Sequence, residues 1–121
     1  MHNFKELKVW QLSRALVKET YQVTADFPSD EKYGLVSQLR RCAVSIPTNI
    51  AEGSGRNTDK DFAQFLNISL GSAYELESLL ILSLDVKLIN ENQLNDLLPK
   101  ISEIQKMTHG LIKTLCQESY V

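Results

Sequence analysis

Leu94, Leu97, Ile101, Ile104, Thr108, Leu111 and Leu115 recur at steps of three and four across residues 94–115. At about 100° per residue, such a repeat runs along one side of an α-helix, and a helix with one apolar side must bury it against other elements. Comparable stripes run through three earlier segments, and no segment reads convincingly as a strand. The reading is therefore all-α: four helices with short connections, forming an antiparallel up-down-up-down four-helix bundle. At 121 residues the chain is of single-domain size, and one bundle accounts for residues 1–121.

Taken in order, Asn3 and Glu6 have capping-box spacing. Leu7, Trp10, Val17 and Tyr21, with Val9, Leu12, Leu16 and Val23, then give a helix with a wide apolar side that ends near Asp26. Trp10 is assigned to the core, an exposed interface anchor being the other reading. Ser29 or Asp30 caps the second helix after Pro28. Thr58 and Asp61 open a third helix running to about Lys87, with Phe62, Phe65 or Leu66, Ser69, Ala73, Leu76, Leu80 and Ser83 as its seam. A second row, Leu70, Tyr74, Glu77, Ile81, Leu84 and Leu88, lies alongside, and Gly71 and Ser72 allow close approach of another backbone. Asn90 with Gln93 caps the fourth helix, where Pro99 predicts a kink or a broken first turn. Helices one and three carry more apolar surface than a monomeric bundle hides, which predicts self-association.

Residues 33–56 hold two stripes at once. Leu35 or Val36, Leu39, Ala43, Ile46 and Ile50 face a core, while Gln38, Arg41, Ser45, Thr48 or Asn49, Glu52 and Arg56 follow roughly 200° away and face outward. A merely solvated side would hold mostly Lys and Glu; amides, hydroxyls and Arg suit a protein interface or a phosphate surface. Pro47 removes the amide that would bond the Ala43 carbonyl, yet the apolar row keeps its phase. One helix kinked at Pro47 is predicted, with Ser45, Thr48 or Asn49 available to the freed carbonyl and Gly53 and Gly55 at its stop. Three readings of the polar row stay open: a solvated face, a polar subunit interface or ion network including Glu52, and a surface where Arg40, Arg41 and Arg56 meet the phosphates of RNA or DNA.

Chemistry is narrowed by absence of pattern. The formal net charge is -2, and it is unevenly spread: residues 33–56 carry +2 and residues 57–121 carry -4. A generally basic nucleic-acid binder is disfavoured. A di-metal site in a bundle needs Glu-x-x-His pairs, but Lys106 stands three residues before His109, and His2 lies in the N-terminal tail. Glu75 and Glu77, two apart, point to different sides; either is expected to pair with an Arg of the second helix. Gly53–Arg56 lacks the ending of a nucleotide loop, no nucleophilic triad is legible, and Asn67-Ile68-Ser69 lies inside a helix. The expectation is no catalysis and no cofactor. Cys42 and Cys116 read as reduced thiols of a cytoplasmic protein, no signal peptide is recognised, and no run approaches about 18 uninterrupted apolar residues, so no membrane is expected.

The segments LKVWQLSRAL, FPSDEKYGLVSQLRRCAVSIPTNIAEGSGR, FAQFLNISLGSAYELESLL and HGLIKTL together resemble the four-helix-bundle family of 23S ribosomal RNA intervening-sequence proteins. That family is in turn similar to the accessory variability proteins of diversity-generating retroelements. The resemblance implies a bundle that assembles as a homopentamer and, for the retroelement relatives, a basic barrel that binds nucleic acid and a partner reverse transcriptase. It lays shared polar residues on Gln38, Arg40, Arg41, Asn49, Glu52, Gly53 and Arg56, and on Gly71, Ser72, Glu75 and Glu77. The chain departs from a basic barrel in being mildly acidic. Two functions follow as expectations: nucleic-acid association through the Arg-bearing helix face, or a scaffold for protein partners.

Overall fold

The computed structural model describes residues 2–118, in which four α-helices and no strand are present: α1 (Lys8–Thr24), α2 (Ser37–Ser54), α3 (Asp59–Asp85) and α4 (Glu91–Glu118). Hydroxyl side chains decide which line of α1 faces inward. Its buried residues are Val9, Ser13, Leu16, Thr20 and Thr24. Ser13, Thr20 and Thr24 each donate to the carbonyl four residues back, at 2.6–2.8 Å. A hydroxyl satisfied by its own helix can enter a core without an unpaired polar group. Trp10 and Val17 are therefore only half-buried and Tyr21 is 42% exposed, so the wide apolar side expected of α1 flanks the core more than it fills it.

The other seams follow their repeats closely. Leu39, Ala43, Ile46 and Ile50 of α2 are completely buried, as are Leu66, Ala73, Leu76 and Leu80 of α3. In α4, Leu94, Leu97, Ile101, Ile104, Thr108 and Leu115 are buried, and Leu111 is half-buried. Buried Ser69 donates to the Ile46 carbonyl (2.9 Å), a direct bond from α3 to the backbone of α2. The helices follow one another around the bundle, with α2 packed on α1 and α3, and α4 packed on α3 and α1. Lys100 of α4 reaches Glu19 of α1 at 2.6 Å.

Helix ends differ from their sequence signals in instructive ways. The Asn3 side chain accepts from the Lys5 amide and caps only a short turn, Phe4–Glu6; α1 starts separately after extended Leu7. Between α1 and α2, Ser29–Glu31 and Lys32–Val36 form two tight turns, with Gly34 outside helical geometry, so neither Ser29 nor Asp30 caps α2. Thr58 and the Asn90–Gln93 pair cap as expected: Asp61 N–H donates to Thr58 (3.1 Å), and Asn90 and Gln93 each accept from the other's amide (2.9 and 2.8 Å). Lys87 ends α3 in the left-handed region (φ 64), while the Leu88 and Lys87 amides reach back to Ser83 and Leu84. That double closure is a Schellman arrangement, here without its usual glycine.

Both internal prolines are carried within unbroken helices, Pro47 in α2 and Pro99 in α4. Thr48 and Asn49 donate to the Val44 and Ser45 carbonyls, one and two residues beyond the Ala43 carbonyl that Pro47 frees. The two notable glycines exchange expected roles. Gly53, read as part of a helix stop, is buried where α2 meets α3; a Cβ there would lie 2.6 Å from Phe65 Cβ and 2.9 Å from Phe62 Cδ1. Gly71, read as a point of close approach, has no neighbour within 4 Å of a Cβ position. By length and composition α3 is also apolar enough to cross a membrane, which the count of uninterrupted apolar residues does not reveal. Its inner side instead supplies core residues of the bundle.

Candidate interaction site on the second helix

The polar row of α2 emerges on the outside of the bundle, but its members have separate tasks. Gln38, Arg41 and Ser45 line one small depression of about 260 Å³ together with Ser72 and Glu75 of α3. Ser45 is its hub: its Oγ accepts from Ser72 Oγ at 2.8 Å and from Asn49 Nδ2 at 2.9 Å. These bonds hold the floor of the depression between two helices. Arg41 is exposed, and among the described residues it has no hydrogen bond, ion pair or ring contact. An Arg left free beside amides and hydroxyls is a donor fork available to something outside the chain.

Arg40 is not free. Its Nε donates to Thr24 Oγ1 at 2.9 Å, and its guanidinium lies 4.3 Å from the Tyr21 ring centroid. It fastens α2 to the end of α1, so its charge reaches solvent but its position is fixed. Arg56, at the far end of the row, stacks on Phe65 (4.7 Å) and sits 3.5 Å from Glu52. Glu77 lies on the other side of α3, accepting from Gln105 of α4 at 2.9 Å. The two-residue spacing of Glu75 and Glu77 thus separates them as expected, but neither forms an ion pair with an α2 arginine among the described residues.

Cys42 forms the inner wall of the same depression. Burial, reinforced by the Glu75 charge, pushes its thiol up to about 12, against the weaker opposing pull of backbone hydrogen bonds. It stays a neutral thiol at physiological pH and is no nucleophile. Among the described residues no group of three or more His, Cys, Asp or Glu is placed to hold a metal ion.

A larger open groove of about 730 Å³ runs along the α1 side of α2, bordered by Tyr21, Lys32, Tyr33, Arg41 and Val44. Sequence periodicity passed over Lys32 and Tyr33 as groove residues. Tyr33 is 87% exposed, and the Lys32 ammonium lies 5.5 Å from its ring centroid. No repeat signals this: Tyr33 stands three residues before Val36, at the spacing of the core row, and the non-helical Gly34 backbone that breaks that register is not encoded in any repeat.

The model of the 23S rRNA-intervening sequence proteins matches residues 5–110, which includes all of α1, α2 and α3 and most of α4. The chain belongs to this family. Among solved structures it is similar to the crystal structure of a protein of unknown function from the S23 ribosomal protein family of Bacteroides thetaiotaomicron. The two are 26% identical, with a TM-score of 0.78, over 87% of this chain and 98% of that one. No curated protein matches. In this family member, every residue of the polar row and the depression it forms falls within the matched region.

Proposed function

We propose that this family member is a non-enzymatic, cytoplasmic scaffold that works as a homo-oligomer, with its helices running up-down-up-down, α2 bent at Pro47, and the outer face of α2 as its binding surface. The observation that carries this reading is apolar surface left over after the core is filled. Tyr74, Ile81 and Leu82 of α3 and Val86 just beyond it are 41–60% exposed, and a soluble single bundle gains nothing by displaying such a group. The homopentamer implied by the family resemblance is the assembly proposed. Native mass measured across a range of concentrations tests it: a multi-chain species supports the scaffold, and a monomer at every concentration overturns it.

A second reading, binding of RNA or DNA, is favoured by charge in the large groove. Lys32, Arg40 and Arg41 face only Glu52 among its lining residues. The resemblance to retroelement accessory proteins supports the same reading. Phosphate contacts release counterions, so affinity for structured RNA or duplex DNA is expected to fall steeply as salt rises, and Arg41→Glu is expected to abolish binding. Salt-independent binding, or binding untouched by that substitution, removes Arg41 from the phosphate surface and leaves protein partners.

A further inference from the structure

We infer that the groove between α1 and α2 receives the outer face of α3 from a second copy of the chain, a head-to-tail contact. This rests on the scaffold reading and names its interface. The two faces lie on opposite sides of the bundle. The groove belongs to the α1–α2 side, where Val44 and Thr48 join the depression bordered by Tyr21 and Arg41 to a more apolar one formed by Trp10, Val17 and Pro47. The α3 face looks toward α4: Tyr74 OH lies 3.2 Å from His109 Nε2, and Glu77 is held by Gln105. Tyr74, Ser78, Ile81 and Leu82 form its surface.

Charge decides which face meets which. The groove side carries Arg14, Lys32, Arg40 and Arg41, with Glu52 as its acid. From Asp61 to Val86 the chain has no Lys or Arg; Glu77 lines the outer face and Asp85 is exposed one turn beyond Ile81, while Glu75 belongs to the other side, beside Arg41. Groove against groove would set cations against cations, and α3 against α3 would set acids against acids; like-charge juxtaposition across an interface disfavours both pairings. Groove against α3 is complementary in both charge and hydropathy. Because the surfaces differ, the contact is heterologous, and repeating it gives a ring when the rotation closes.

The test uses two exposed helix positions, Val44→Glu in the groove and Leu82→Glu on α3, each checked for an unchanged far-UV spectrum. Each variant alone is expected to be monomeric by native mass at concentrations where the parent chain is assembled. Mixed, they are expected to form a species of two chains and no larger, since the intact α3 of the first fits the intact groove of the second and the remaining two faces are both blocked. Assembly that persists in either variant overturns the contact, as does a mixture that stays monomeric or grows beyond two chains. A parent chain that is itself monomeric overturns the scaffold reading, a distinct failure seen before any variant is made.

Discussion

The two faces of α3 are both apolar, yet only one is covered. Phe62, Leu66, Ala73, Leu76 and Leu80 are at most 1% exposed, whereas Ile68, Tyr74, Ile81 and Leu82 are 41–53% exposed. What separates them is not hydropathy. The inner line is interrupted by small residues and hydroxyls: Ala73, Ser69, which bonds the α2 backbone at Ile46, and Ser83, which is satisfied by the Leu79 carbonyl of its own helix. The outer line alternates large apolar side chains with Gly71 and Ser78, which suits a partner outside the bundle. A helix that is apolar nearly all round has to be covered on more than one side. In this four-helix arrangement α3 is covered chiefly by α2 and α4.

That contrast can be broken from the inside first. Phe62→Ala removes the largest fully buried side chain and is expected to cost about 3–5 kcal/mol in urea unfolding; a cost near zero would mean the α2–α3 seam is not the core. Gly53→Ala attacks the same seam by crowding. The added methyl meets Phe65 Cβ and the Phe62 carbonyl, which cannot swing aside, so a loss of about 1–3 kcal/mol is expected in the same measurement. On the outer face the same substitution has the opposite sign. Gly71→Ala meets nothing within 4 Å and improves helix propensity, so in a chain kept monomeric by Val44→Glu it is expected to raise stability by about 1 kcal/mol. A loss there would place an unrecognised neighbour against Gly71.

A pH dependence is expected at Cys42, visible only in strongly alkaline solution. Its folded pKa, about 12, lies above the ordinary 9.0, so the fold favours the protonated thiol. The contribution is complete below pH 9.0 and is lost as pH rises toward about 12. Over that window the parent chain is expected to lose stability more steeply than Cys42→Ala, as read from urea midpoints; parallel curves would show the thiol to be solvated.

The fold was legible where burial and hydropathy coincide, as in the Leu94–Leu115 repeat and the Leu39–Ile50 row. It was less legible in α1, where Ser13, Thr20 and Thr24 occupy the interior because their hydroxyls bond their own helix, which no count of apolar residues records. The site was legible in part. Helical spacing alone brings Gln38, Arg41 and Ser45 together. It cannot show that Arg40 is engaged by Thr24 of another helix, or that Glu75 approaches Cys42 and Glu77 turns to α4. Those facts depend on how helices are set against one another, which is a property of packing across the chain.

The corner between α3 and α4 has a consequence for the order in which the chain organises itself. Its stop and restart rest on bonds spanning at most five residues, from Leu88 back to Ser83 and between Asn90 and Gln93. Contacts so local cost little loop entropy and form without waiting for distant segments. The hairpin of the two longest helices is therefore the expected nucleus, with α1 arriving last. Lys87, held at φ 64, is its one strained residue, and a left-handed lysine costs roughly 1–2 kcal/mol. In a chevron, Lys87→Gly is expected to speed folding while leaving the unfolding limb in place. A change confined to unfolding would move the first event elsewhere in the chain.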